Sequence, residues 1–241
     1  MDENRIKPLA GVSNTNPNVV LPVKIDPATG RVLVDVQGVG GNGGVNPFSL
    51  AENYFPVSLT NPSVENSGGV SMGMLYVNVG PGGYSVASIG GPYFLGYHKN
   101  MKIRFWCPLA YAGVEDIVYI YVFCDNANPF VANQYVGVRI MSGRVFFVSK
   151  DGTTEQATDI TTAWGDISQS TATRDVLIEL NAGSNAKIYI NGSLAATNTT
   201  IPPISNTSSG IIMLCLRAET TSPDGSSAIV SVGGVHAYRQ I

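Results

Sequence analysis

From Val45 to the C-terminus, apolar and polar residues alternate in short runs that stop at glycine-containing breaks. GVSMGMLYVNV (69–79) leads to Gly80-Pro81-Gly82-Gly83, and MKIRFWCPL (101–109) is followed by DIVYIYVFCD (116–125). QYVGVRIMSGRVFFVSKDGTTEQ (134–156) reads as two hairpins in series, turning at Ser142-Gly143 and Asp151-Gly152. RDVLIELNAGSNAKIYINGSLAATNTTI then gives a strand, a loop, a strand, a turn at Asn191-Gly192 and another strand, and SGIIMLCLRAE and AIVSVGGVHAYRQI close the chain. Alternation with a period of two puts successive side chains on opposite faces of a strand, and Asn-Gly or Asp-Gly supplies the positive φ of a two-residue hairpin turn. Only PFSLAENYF (47–55) and TTAWGDI (161–167) leave room for a helical turn. About ten or more strands joined by hairpins, without helical spacers, predict an all-β, two-sheet antiparallel sandwich.

The first 37 residues follow another pattern. VLPVKI and RVLVDV are β-rich runs separated by DPATG, whose Pro and Gly suit a tight turn. A hairpin this short buries too little surface to be stable alone, so Val23, Ile25, Val32 and Val34 are expected to anchor it on its own domain or on a partner. GVGGNGGV (38–45) has the composition of a flexible linker, the other reading being a glycine-rich loop within one domain. The expected organisation is an arm at 1–37, a linker at 38–45 and a sandwich at 46–241.

Composition narrows the function classes. Only 13% of residues are charged, against about 25% in an average soluble domain, while Gly (27) and Pro (14) are plentiful. A net charge of −3 provides no basic field, which argues against a nucleic-acid partner. Apolar runs such as IVYIYVFC (117–124) have strand length, far below the roughly 20 residues of a membrane helix. MDENRIKPLAG lacks the apolar segment of a signal peptide, so synthesis in a cytoplasm is expected. Cys107, Cys124 and Cys215 form no CxxC and read as reduced, half-buried thiols, with a Cys107–Cys124 bridge as the alternative.

The run from RDVLIELNAGSNAKIYINGSLAAT through SGIIMLCLRAE to AIVSVGGVHAYR resembles the back half of concanavalin A-like (laminin G-like) jelly rolls, over roughly residues 100–241. In that family a strand carrying Tyr-Ile-Asn-Gly turns on the Asn-Gly, and the last strand returns beside the first. The family spans lectins, hydrolases and passive spacers. A second resemblance lies in the arm: ENRIKPLAGVSNTNPNVVLPVKIDPATGRVLVDV is similar to the leading segments of tailed-phage virion proteins. It implies an attachment segment, a displayed β-domain and homo-oligomeric assembly, with a trimer favoured.

A glycosidase needs two carboxylates about 5–10 Å apart. The Glu-x-Asp-x-x-Glu spacing of the concanavalin-like glucanases is absent; Glu115-Asp116 precede a strand, and Asp175 and Glu179 share a strand face with Leu177, which reads as a solvated face. His98 and His236 sit in no metal-ligand spacing, and no Gly-x-Ser-x-Gly elbow or phosphate loop occurs. Asp125, Asn126 and Asn128 in CDNANPF offer hard oxygen donors, but calcium takes about six to eight ligands and one carboxylate is too few. That stretch reads as an Asx-rich turn; no metal, cofactor or catalysis is expected.

Recognition leaves a trace in the aromatics. In IVYIYVFC, Val118, Ile120, Val122 and Cys124 fall on one side and Tyr119, Tyr121 and Phe123 on the other. KIRFWC separates Lys102, Arg104 and Trp106 from Ile103, Phe105 and Cys107, and Tyr135 and Arg139 share a side of the next run. If these strands are neighbours, Arg104, Trp106, Tyr119, Tyr121 and Arg139 form one face, suited to stacking on sugars, to a subunit interface or to core packing. The sequons at Asn191, Asn198 and Asn206 are explained by turn chemistry. The reading favoured by the sequence is a non-catalytic virion protein of a tailed phage, displayed on the capsid, tail or fibre and contacting other virion proteins and host glycans. The rival is a soluble carbohydrate-binding module or adhesin.

Overall fold

The computed structural model describes residues 59, 62–90, 100–165, 167, 173–203, 214–221 and 227–238, together with the backbone of 10–12, 20–22, 24–25, 32–33, 52–56, 212–213 and 239–240. The chain divides into two units, Met1–Val45 and Asn46–Ile241. In the first, β1 (Ala10–Val12) pairs antiparallel with β2 (Val20–Pro22), and β3 (Lys24–Ile25) with β4 (Val32–Leu33), placing Ile25 opposite Val32. Val23 and Val34 lie outside the described residues, as do His98 and Asn206.

The second unit is an all-β sandwich. Its strands are β5 (Glu52–Pro56), β6 (Ser63–Glu65), β7 (Gly68–Ser71), β8 (Met74–Val79), β9 (Tyr84–Gly90), β10 (Met101–Tyr111), β11 (Ile117–Cys124) and β12 (Gln134–Met141). They continue as β13 (Arg144–Asp151), β14 (Glu155–Asp159), β15 (Arg174–Asn181), β16 (Asn185–Ile190), β17 (Ser193–Asn198), β18 (Ile212–Glu219) and β19 (Ala228–Gln240). One sheet, sheet I, runs in the order β17-β16-β15-β10-β19-β8-β7, with β5 joined to the far end of β19; the other, sheet II, runs β14-β13-β12-β11-β18-β9-β6. Every pairing is antiparallel. The last strand, β19, lies beside β5, the first of this unit.

The period-two pattern decides what is buried. Ile103, Phe105, Val176, Ile178 and Ile188 of sheet I meet Val118, Ile120, Val122, Val138, Ile140 and Phe147 of sheet II in one core, all fully buried. Full burial of such a side chain is worth roughly 1.5–3 kcal/mol. One end of the sandwich is closed by α1 (Thr161–Trp164), where Trp164 enters the core and Arg174 donates Nε to its carbonyl at 2.9 Å. Along the β14/β17 edge, fully buried Asn198 joins the layers: Nδ2 donates to Phe147 O, Ser149 Oγ and Gln156 O, and Oδ1 accepts from Thr158.

Several local expectations change. The turns at Ser142-Gly143 and Asn191-Gly192 form, with φ of 50° and 70°, then 50° and 83°. Asp151-Gly152 is not a two-residue turn, because Oδ1 of Asp151 accepts from the amides of Thr153 and Thr154 and stretches the connection to Glu155. Residues 52–55 of PFSLAENYF belong to strand β5 and not to a helical turn, whereas 161–164 is helical. Phe123 has φ of 53°, a left-handed kink that flips the end of β11. Phe123 therefore enters the central core and Cys124 faces outward, the reverse of simple alternation. Cys107 packs in the central core and Cys124 on the outside of sheet II; both are free thiols, so no bridge forms between them.

Candidate functional site

The five residues expected to share a face are divided between two sheets. β10 sits between β15 and β19 in sheet I, and β11 between β12 and β18 in sheet II. Arg104 and Trp106 therefore lie on the outside of one layer, and Tyr119, Tyr121 and Arg139 on the outside of the other. For these five residues the alternation within each strand holds; what fails is the condition that the strands are neighbours.

The sheet II group is packing. Tyr121 is buried, stacks on Tyr135 at 4.2 Å and meets the Tyr119 ring edge-on at 5.4 Å. Arg139 gives both terminal nitrogens to Glu155, at 3.0 and 2.8 Å, and Tyr135 donates its hydroxyl to the same carboxylate. Burial pushes the Tyr119 and Tyr121 phenols up, Tyr121 well above its ordinary value, which keeps them neutral. Segment 125–133 folds over the neighbouring part of this face. Ala127 O accepts from Cys215, Asn128 Oδ1 accepts from Arg217, and the Arg217 guanidinium lies between the rings of Tyr84 (4.4 Å) and Phe130 (5.0 Å).

The side-chain oxygens of Asp125, Asn126 and Asn128 hold the same segment together. Asp125 Oδ1 accepts from the Asn133 amide, Asn126 Oδ1 from Asn128, and Asn128 Oδ1 from Phe130. The last two are Asx turns, and the Asp125 bond closes the segment across eight residues. Among the described residues no cluster of His, Cys, Asp and Glu has metal-binding geometry. Glu115 and Asp116 make no acid–base pair either: Asp116 is fully buried, its Oδ2 accepting from the Gly113 amide.

Trp106 is different. It is 57% exposed in the middle of a strand whose other outward residues are half-buried. Two compensating bulges flank it. β19 carries one extra residue between the partners of Arg104 (His236) and Trp106 (Gly233), and β10 carries one between Trp106 and Leu109. Pro108 lies in the second bulge, where its missing N–H breaks no ladder bond. Gly234 lies in the first, at φ of 56°. A Cβ built on Gly234 would stand 3.4 Å from Cδ2 and Cε3 and 3.7 Å from Cε2 of Trp106. Those three atoms are mutually bonded around Cδ2, so near-equal distances place Gly234 under the ring's face. The indole lies flat on the bulge and shows its other face to solvent.

Polar groups border this ring. Asp175 on β15 is directly opposite Trp106 and reaches diagonally to Arg104, which donates Nε to Oδ1 at 2.8 Å and Nη2 to Oδ2 at 2.6 Å. The Asp175 hydrogen bond holds the guanidinium above its already high pKa, so Arg104 stays charged. The Asn191-Gly192 turn abuts the same carboxylate strand: Asn191 Oδ1 accepts from the Asp175 amide at 3.0 Å, and the Asn191 amide donates to Asp175 O at 2.8 Å. Further along the face, Lys102 pairs with Glu179 at 3.5 Å, and Tyr189 donates to Glu179. The sequence reading missed Asp175, Asn191 and Gly234 as members of the site. The signal available was a Gly-Gly pair in a late strand, which without the pairing order has no assigned partner.

No family model matches the chain, and no curated protein matches its sequence. Among solved structures, a sialidase superposes with a TM-score of 0.51 at 14% identity over 78% of this chain, which spans 18% of that protein. A structure concerning botulinum neurotoxin type C, whose cell entry depends on interaction with two ganglioside molecules, gives 0.47 at 18% identity over 75% of this chain and 44% of the other. A protein of unknown function from Shewanella oneidensis MR-1 gives 0.48 at 10% identity over 80% of each chain. Residues 46–241 are thus an all-β jelly-roll sandwich, and the likeness to the sialidase is one of fold.

Proposed function

We infer that the chain is a non-catalytic glycan-recognition module whose binding platform is the exposed face of Trp106. The single observation that carries this is the flat-lying indole, seated on Gly234 and bordered by Arg104 and Asp175. A pyranose ring offers an apolar C–H face and a rim of hydroxyls, the complement of an aromatic face with charged hydrogen-bonding groups beside it. Catalysis is not assigned, because Asp175 and Glu179 are each held by a cation and stand about 13 Å apart along the strand. The test is a glycan array probed with the full chain and with Trp106→Ala. Losing a stacked indole of roughly 1.5–3 kcal/mol lowers affinity about 10–100-fold. Equal binding by both proteins would refute the platform.

A second reading concerns where the module works. The resemblance of the arm to leading segments of tailed-phage virion proteins supports a place on a phage particle, as capsid decoration or as part of a tail or fibre. In this reading the module is a homo-oligomer, a trimer favoured, made in the host cytoplasm and held to other virion proteins by the hairpin around Ile25 and Val32. Deleting 1–37 then leaves a soluble protein that no longer joins particles; a truncated chain that incorporates normally would defeat this reading.

A further inference from the structure

The charges around Trp106 carry an inference about the class of glycan, and it rests on the platform reading above. Arg104 is the cation nearest the indole along its own strand, and Asp175 neutralises it through two parallel hydrogen bonds of 2.8 and 2.6 Å. The next charges lie about 13 Å further along β15, where Glu179 sits across from both Lys102 and Lys187. The platform's edge therefore presents a matched ion pair, not a free cation. The pair is nonetheless open to a ligand: the Arg104 and Asp175 side chains are 40% and 30% exposed, and Nη1 of Arg104 has no acceptor among the described residues.

We propose that the ligand is a neutral saccharide, its ring stacked on Trp106 and two adjacent hydroxyls spanning Arg104 and Asp175. A hydroxyl both donates and accepts. One donates to the Asp175 carboxylate while its neighbour accepts from Nη1, so a vicinal diol satisfies both groups without separating them. A sugar bearing a carboxylate or sulfate fails twice. It meets the Asp175 charge directly, and capturing Arg104 would strand a partly buried carboxylate without its partner.

Calorimetric titration of the full chain at pH 8 tests this. The probes are a soluble β-glucan and a soluble galactan as neutral polymers, and polysialic acid and heparin as anionic ones. The expected result is binding to a neutral polymer that changes less than about twofold between roughly 50 and 500 mM salt, with no anionic binding. Asp175→Asn leaves Arg104 uncancelled; it should weaken neutral binding at least about fivefold and create salt-sensitive binding to an anionic polymer. Circular dichroism checks that this variant folds, and if it does not, the parent chain's preference decides alone. Stronger binding to polysialic acid or heparin by the parent chain, lost in Trp106→Ala, would overturn neutrality and leave the platform standing. Binding of any polymer that Trp106→Ala retains would overturn both, and so would no binding at all.

Discussion

The face of the Trp106 indole rests on the backbone of Gly234, with Cδ2 only 3.4 Å from where a Cβ would stand. A Cβ there would only touch the ring, so the demand for glycine comes from the backbone: φ of 56° is a region L-residues occupy at a cost of roughly 1–2 kcal/mol. Gly234→Ala is expected to lower stability by about that amount while its methyl stays in contact with the indole, leaving the emission of Trp106 little changed. The check is a melting curve together with the emission maximum of Trp106. Unchanged stability would contradict the left-handed conformation of Gly234 in the bulge.

Gly137 tests the register of the other sheet. A Cβ there would fall 2.3 Å from Ile120 O and 2.7 Å from Tyr121 Cα, both backbone atoms that cannot give way. Gly137→Ala should cost more than about 4 kcal/mol, at the extreme of single substitutions, or prevent folding. Denaturant unfolding measures it, and a loss below about 1 kcal/mol would contradict the β11–β12 pairing.

Asn198 is the acceptor asparagine of an Asn-Thr-Thr sequon, yet it is fully buried and makes four hydrogen bonds between the layers. Asn198→Ala strands those partners and should cost about 3 kcal/mol, while Asn191→Ala in the exposed turn costs less. Parallel urea titrations of the two variants give the comparison; the reverse order would contradict the buried network.

Alkali should unfold the protein through its buried acids. Burial pushes the Cys107 thiol from an ordinary 9.0 up to about 12, and it raises Cys124 and Tyr121 well above their usual values. A folded pKa raised above the unfolded one leaves stability complete below the unfolded value. It is then lost as pH climbs through the window from 9.0 to about 12, at about 1.4 kcal/mol per pH unit for each group. Melting temperatures should therefore hold to about pH 8 and fall steeply above pH 9. A thiol reagent at pH 8 should label none of the three cysteines before unfolding, since the thiolate is the reactive form. Rapid labelling of the native chain would contradict the burial.

Much of the fold was legible because its determinants are local. Asn191-Gly192 and Ser142-Gly143 carry their turn geometry in their own backbone preferences. The alternation in RDVLIEL put Val176 and Ile178 inside with Asp175 and Glu179 outside, as found. The site was half legible for the opposite reason. Whether Trp106 and Tyr121 share a face depends on which strands pair, and pairing is decided by burial across the whole sandwich. Phe123 shows the limit of periodicity even within one strand: a single left-handed residue reverses the facing of everything after it. The seat of Trp106 comes from Gly234, on a strand distant in sequence, and no local pattern joins the two.

The most direct test of the central claim uses the contrast between the two tryptophans, Trp106 at 57% exposed and Trp164 at 2%. Iodide should quench part of the fluorescence of the free chain, that of Trp106, and leave a blue-shifted remainder from Trp164. Saturation with a bound neutral polysaccharide should remove the quenchable part, because a sugar ring covers the free face of the indole. A chain that binds the polysaccharide while Trp106 stays fully quenchable would place the glycan elsewhere and contradict the account.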